Sequence, residues 1–132
     1  MVSRVTNRIR VLSLTDCGQG QLVLDVAKEL GMQLWLGMWV GVNVSEFEGE
    51  KAELVYMLQQ GMINETTVLG ISVGSEAIYR KDATVDQNIG YMNEGKHQAN
   101  QRVAADETVT LLYSYSFPVN SVQSINCCRM LD

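Results

Sequence analysis

An acid stands at the end of a short apolar run in the stretch Val68-Leu69-Gly70-Ile71-Ser72-Val73-Gly74-Ser75-Glu76-Ala77-Ile78-Tyr79-Arg80. The run contains β-branched Val68, Ile71 and Val73, is interrupted by Gly74 and is bounded by polar residues, which predicts a buried parallel strand over 67–74. In open α/β sheets and α/β barrels, ligands sit at the carboxyl ends of parallel strands. Glu76 at that position has a functional reading that a mid-helix acid would lack. The competing reading makes it a helix N-terminal acid favoured by the macrodipole. Spacing alone leaves both open.

The remaining chemistry-bearing residues form weaker patterns. Gly18-Gln19-Gly20 after a predicted strand invites a dinucleotide reading, but the third glycine of that fingerprint would fall at Val23. His97 is the only histidine and has no cysteine or carboxylate at ligand spacing, so neither a metal nor any other cofactor is expected. The three cysteines do not make a disulfide framework. Cys127 and Cys128 are adjacent, with Cα atoms about 3.8 Å apart, too close for ordinary disulfide geometry, so at most one of them pairs with Cys17. Met32, Met38, Met57, Met62 and Met92 read as core filler.

Composition bounds the partners. A chain of 132 residues, 46% hydrophobic and 19% charged, is that of one globular domain with a sizeable core. A net charge of −5 argues against nucleic acid and against an anionic membrane surface. No apolar run is long enough for a transmembrane helix. Met1 to Arg10 holds three arginines and no apolar core, so as written it is not a signal peptide. Asn43-Val44-Ser45 and Asn64-Glu65-Thr66 match the glycosylation sequon and weakly favour descent from a secreted protein.

The elements that would position Glu76 follow in order. Strands are expected over 8–14, 33–40 and 67–74. A first helix carries Leu22, Val23, Val26, Ala27 and Leu30 at helical spacing and is stopped by Gly31. Gly41 to Gly49 reads as a loop, and Glu50 to Gln60 as a second helix with Leu54, Val55 and Leu58 in its stripe. Thr84 caps a third helix with Val85, Ile89 and Met92 on one side. Thr108 to Ser116 reads as a further strand by composition. The strand–helix alternation predicts an α/β fold with a parallel sheet. Periodicity leaves an open doubly wound sheet and part of a (β/α)8 barrel both standing, with a flavodoxin-like binding domain as a remote third option.

Several of these stretches resemble glycoside hydrolase family 17, the β-1,3-glucan hydrolases and transferases, and its fungal cell-wall branch in particular. Gly70-Ile71-Ser72-Val73-Gly74-Ser75-Glu76-Ala77-Ile78-Tyr79-Arg80 is similar to the family's acid/base signature, with Ser75 in place of an Asn. Arg8-Ile9-Arg10-Val11 through Thr15-Asp16-Cys17 looks like its second barrel strand, and Val23 to Lys28 like the helix after it. Leu34-Trp35-Leu36-Gly37-Met38-Trp39-Val40 resembles its third strand, Glu50 to Val55 its next helix, and Val85 to Glu94 the helix after the acid/base strand. These similarities span residues 8 to 97.

The resemblance implies a partial (β/α)8 barrel, about half of one, over residues 1–105, followed by a divergent tail over 106–132. A whole barrel needs about 250 residues. The family's first strand and its second catalytic glutamate, near Glu-Thr-Gly-Trp-Pro, have no match here. Glu76 is then the acid/base, and Ser75, Asp16, Trp39 and Tyr79 line the substrate. Trp39 as plain core, and Tyr79 with Arg80 as loop packing, are the alternatives. Ser75 is shorter than the Asn that binds the sugar 2-hydroxyl and has one donor hydrogen, which works against activity. Burial near the strand ends is expected to raise the Glu76 carboxyl enough to donate a proton.

The implied substrate is β-1,3-glucan, the implied location the secreted, cell-wall setting of the family, and the implied state of the isolated chain inactive. A non-catalytic glucan-binding remnant, or a fragment from a misread gene, is the other reading. Uncovered strand edges and an uncovered inner face predict self-association. The barrel reading requires the three strands side by side in chain order, whereas a doubly wound sheet reverses order at a switch point.

Overall fold

The structure is a computed structural model that describes residues 6–102 and 123–125. Strand β1 is Arg8–Val11, β2 Gln33–Met38, β3 Val68–Val73 and β4 Gln123–Ile125; helix α1 is Gln19–Glu29, α2 Val44–Gln59 and α3 Val85–Arg102. The sheet order is β3-β2-β1-β4, and every pairing is parallel. The α/β class and the chain-order adjacency of the first three strands therefore stand as expected. The expected strand over 108–116 and the boundary at 105/106 lie outside the described residues. An unexpected strand, β4, lies along β1, so that edge of β1 is not bare.

Alternation along the strands gives the sheet two chemically different faces. Ile9, Val11, Leu34, Leu36, Met38, Ile71 and Val73 are buried in one cluster with Leu24 and Ala27 of α1, Phe47, Leu54 and Met57 of α2, and Ala99 of α3. The opposite face carries Arg8, Arg10, Gln33, Trp35, Gly37, Gly70 and Ser72, aligned by the registers Arg10↔Trp35↔Gly70 and Gly37↔Ser72. Gly37 leaves no room for a side chain against the end of β1. A Cβ there would lie 2.3 Å from the Val11 carbonyl oxygen and 2.9 Å from Leu12 backbone atoms.

The helices differ from expectation in instructive ways. In α1 the buried line is Gly20, Leu24 and Ala27, while Leu22, Val26 and Leu30 are 62%, 47% and 51% exposed. Gly20 wins because α1 closes on β1 at that residue; a Cβ on it would stand 3.0 Å from the Leu14 carbonyl oxygen. Helix α2 begins at Val44, not at residue 50, with Asn43 as its N-cap residue. Its stripe extends back from Leu54 through Glu50 to Phe47, so Gly49 sits in an exposed helical turn rather than a loop. In α3, Val85 and Ile89 are exposed and the sheet-facing line is Asn88, Met92, Gly95 and Ala99. Small residues decide this rotation, since they let the helix axis come close to Met38 and Val73.

Helix boundaries follow local chemistry. Thr84 and Gln87 form a reciprocal capping box. The Thr84 amide donates to Gln87 Oε1 at 2.8 Å, and the Gln87 amide donates to Thr84 Oγ1 at 3.2 Å. Gly31 and Gly61 end α1 and α2 in the left-handed region. Helices α2 and α3 are joined by the Phe47–Tyr91 ring pair, 4.3 Å between centroids, and by Lys51, whose Nζ lies 2.8 Å from both Glu48 and Glu94.

The close contact at Gly37 yields a direct expectation. Gly37→Ala pushes a methyl group into β1 backbone that has no rotamer to yield, and is expected to destabilise the fold by about 2–3 kcal/mol. A urea midpoint equal to that of the parent protein would contradict it.

Candidate active site at the carboxyl ends of the strands

Because the strands are parallel, the segments after β1, β2 and β3 emerge on the same side of the sheet. β1 stops at Val11 because the backbone beyond it turns to a side chain instead of a neighbouring strand. Glu50 of α2 is 1% exposed. Its carboxylate accepts hydrogen bonds from the Leu14 amide at 2.7 Å, the Thr15 amide at 3.4 Å, the Thr15 hydroxyl at 2.7 Å and the Ser13 hydroxyl. Ser13 Oγ in turn accepts from the Asp16 amide at 3.0 Å. The chain then enters a single 3₁₀ turn, Asp16–Gly18. Cys17, in the left-handed region at φ 52°, is disulfide-bonded. Cys127 and Cys128, of which at most one pairs with it, lie outside the described residues.

After β3 the Gly74 amide makes the last sheet-type bond, to the Met38 carbonyl at 3.0 Å. Gly74 has φ +76°, and a Cβ on it would fall 2.1 Å from Asn88 Oδ1, so both its backbone and its surroundings demand glycine. A series of turns follows. The Ala77 amide donates to the Gly74 carbonyl, Arg80 to Glu76, and Asp82 to Ala77. Glu76 itself has φ 55°, in the left-handed region.

Two expectations about Glu76 are corrected here. It is not a helix N-terminal acid, since α3 begins only at Val85. Nor is it buried: it is exposed, and within this turn it is Ala77, 0% exposed, that enters the core. The left-handed residues at Gly74 and Glu76 lift the chain off the strand end, so the acid does not sink among apolar side chains as strand alternation would have placed it.

Two arginines tie the strand ends together. Arg10 of β1 donates through Nη2 to Ser75 Oγ at 3.3 Å. Burial pulls the Arg10 guanidinium below its ordinary value, while the charge of nearby Glu76 pulls it back up. Arg80 donates to the Ser75 carbonyl and, at 3.1 Å, to the Val40 carbonyl; it pairs with Asp82 at 2.6 Å. Its guanidinium carbon stands 4.1 Å from the centroid of the Trp39 indole.

Ser75, Glu76 and Trp39 are therefore brought into one assembly, with Trp39 half-buried rather than core. Asp16 and Tyr79 are exposed and stand outside that assembly; Tyr79 is 86% exposed. The sequence reading named neither Arg10 nor Glu50 as a site residue. Arg10 was accessible from the Arg8-Ile9-Arg10-Val11 alternation, which puts a cation on the non-core face. Glu50 was accessible as a carboxylate three residues from Phe47 and four from Leu54, in an otherwise apolar row. Among the described residues no group of three His, Cys, Asp or Glu side chains is placed to hold a metal ion. No helix among them is long and apolar enough to cross a membrane.

A parallel sheet with an acid on a left-handed turn at its carboxyl edge, beside a half-buried tryptophan and two arginines, is an α/β domain of the kind that keeps its functional groups at the strand ends. Comparison with known proteins identifies which. The family model of the BtgE/BtgC glycoside hydrolase domain matches residues 1–129, and the chain belongs to that family. The matched span runs past residue 97, where the motifs quoted above end. The chain is 34% identical over 104 residues to a putative glucan endo-1,3-beta-glucosidase, btgC, of Aspergillus niger, covering 73% of this chain and 15% of that protein. It is 35% identical over 89 residues to a glucan 1,3-beta-glucosidase of Saccharomyces cerevisiae, covering 67% and 28% respectively.

Among solved structures, an active-site mutant of the Rhizomucor miehei beta-1,3-glucanosyltransferase in complex with laminaritriose superposes with a TM-score of 0.71 at 29% identity, over 86% of this chain and 41% of that one. The glycoside hydrolase family 17 beta-1,3-glucanosyltransferase of the same organism gives a TM-score of 0.65 at 32% identity, over 73% and 35%. The resemblance to family 17 thus holds in sequence and in fold. The chain spans less than half the length of each of these relatives.

The buried carboxylate supports a graded expectation. Glu50→Ala leaves two hydroxyls and two amides without their acceptor and is expected to cost about 2–4 kcal/mol. Glu50→Gln keeps one acceptor oxygen but turns an NH2 toward donors, so its loss in denaturant titration should fall between parent and Ala. Equal stability of all three proteins would remove Glu50 from this role.

Proposed function

We propose that this chain is part of a (β/α)8 barrel directed at β-1,3-glucan, with Glu76 as its acid/base residue. The observation that carries the reading is the position of Glu76: it follows the third of three parallel strands adjacent in chain order, on the carboxyl side where barrel enzymes keep their chemistry. β1, β2 and β3 as consecutive neighbours with helices packed on one face are the pattern of a barrel wall; β4, on the other side of β1, falls outside that chain order, and the overlap with the Rhizomucor glucanosyltransferase fold is what favours the barrel over a doubly wound sheet.

In this reading Glu76 delivers a proton to the leaving glycosidic oxygen. Ser75 takes the place of the amide that binds the sugar 2-hydroxyl, but its hydroxyl already accepts a bond from Arg10. Trp39 offers an apolar surface to a pyranose ring, and Asp16 and Tyr79 add polar contacts from the rims of the β1 and β3 loops. Retaining hydrolysis needs a second carboxylate roughly 5–5.5 Å from the first. The family motif that carries it has no counterpart in this sequence, so the isolated chain binds glucan without cleaving it. A glucan-binding remnant, located as its family is at the fungal cell wall or outside the cell, is therefore the second reading.

The flanks of the sheet bear on the solution state. Leu22, Val26 and Leu30 on α1 and Val85 and Ile89 on α3 form exposed apolar rows, and the pairing order leaves β3 as an outer strand. Such surfaces favour association. Purified chain is expected to elute as a dimer or larger species; a sharp monomer peak with cooperative melting would oppose this.

The activity expectation is specific. Laminarin incubated with the pure chain should release no reducing sugar, while titration with laminaritriose should show saturable binding. Hydrolysis that disappears in Glu76→Gln would mean that another carboxylate, Asp16 foremost, completes the site. Absence of binding would sink the glucan reading altogether.

A further inference from the structure

We propose that Arg80 is the positioning residue of this site: a single guanidinium that fixes the Glu76 turn to the end of β2 and at the same time covers one face of Trp39. The inference rests on the glucan-directed reading for its consequence in binding, but its geometry stands independently.

Each part of the guanidinium has a separate task. Nη1 donates to the carbonyl of Ser75, the residue immediately before Glu76. Nη2 donates to the Val40 carbonyl, one residue beyond Trp39, at 3.1 Å. Nε pairs with Asp82 at 2.6 Å, which locks the arginine to the far end of its own turn. The planar group lies over the Trp39 ring, with Cζ 4.1 Å from the centroid. A forked, planar cation is the only side chain that can hold two carbonyls and a carboxylate while stacking on an aromatic face.

The turn needs such a clamp. Glu76 holds a left-handed conformation that a non-glycine residue adopts at a cost. Its own side chain is exposed. Arg80 also closes the turn from within, since its amide donates to the Glu76 carbonyl at 2.9 Å. The acid is thus bracketed, with Arg80 bonded through its side chain to the residue before Glu76 and through its backbone to Glu76 itself.

A consequence for recognition follows. With one face of Trp39 occupied by the guanidinium, a sugar ring can stack on the opposite face alone. Trp39 therefore serves one glycosyl unit, and its distance from Glu76 is set by Arg80. A glucan chain cannot slide between the two faces of the indole, so register along the chain is fixed by the same residue that orients the acid.

Two variants separate the tasks. Arg80→Lys keeps a cation near Trp39 but loses the fork; Arg80→Met keeps length and loses both. The chain has two tryptophans, so a Trp35→Phe background makes Trp39 the sole indole. Both variants are expected to speed amide exchange across residues 75–80 relative to α2. Only Arg80→Met should also increase acrylamide quenching of Trp39. Laminaritriose affinity should fall by about tenfold or more in both, the scale of one charge-assisted hydrogen bond. Unchanged exchange over 75–80 in Arg80→Met, with unchanged Trp39 quenching, would overturn the proposal. If the parent protein binds no laminaritriose, the glucan reading fails, while exchange and quenching still decide whether Arg80 positions the turn.

Discussion

A fully buried carboxylate sets the geometry on which the rest of this domain depends. Glu50 takes its hydrogen bonds from Ser13, Leu14 and Thr15, three consecutive residues just beyond β1. A charge removed from water is tolerated only when its lone pairs are met by donors, and here backbone and hydroxyl donors converge on it. The contact does more than satisfy the acid. It decides where β1 ends, anchors α2 against a strand distant from it in sequence, and sets the start of the loop that carries Asp16 and Cys17.

The acid at the end of β3 is organised by the opposite means. Glu76 is exposed, and its surroundings are cationic. Arg10 reaches the hydroxyl of Ser75 and Arg80 reaches its carbonyl, so one small residue is held at both its side chain and its backbone. The site thus draws one arginine from the first strand and one from the loop after the third, and the packing of β1 against β2 and of β2 against β3 fixes where they meet.

For β1, β2 and β3, strand identity, parallel pairing and mutual order could be read from the sequence; β4 could not. Apolar runs of β-branched residues bounded by glycine specify buried parallel strands with little ambiguity, and the motifs around Glu76 carried the family. Helix faces were harder. On α1 and α3 the expected stripes were met at Ala27 and Met92; Leu22, Val26, Val85 and Ile89 are exposed, and Gly20 with Leu24, and Gly95 with Ala99, complete the packed lines. Close approach of a helix to a sheet rewards small side chains, a preference that hydrophobic periodicity cannot register. The start of α2 was missed because Gly49 reads as a breaker, whereas Phe47 and Glu50 on the buried side hold the helix through it. The exposure of Glu76 depended on two left-handed residues, and only Gly74 announces such a conformation by its type. Arg10 and Glu50 were visible as charged residues in apolar settings, but their partners lie far away in sequence.

The placement of β4 has a kinetic meaning. Strands β1, β2 and β3 are joined by single helical crossovers, so their pairings close short loops and can form early. Ile9 instead lies opposite Gln123, with most of the chain intervening. Pairings of large sequence separation are slow because the loop entropy is lost before the contact compensates for it. The local trio of β1, β2 and β3 is accordingly expected to assemble before the three-residue β4 is recruited to it.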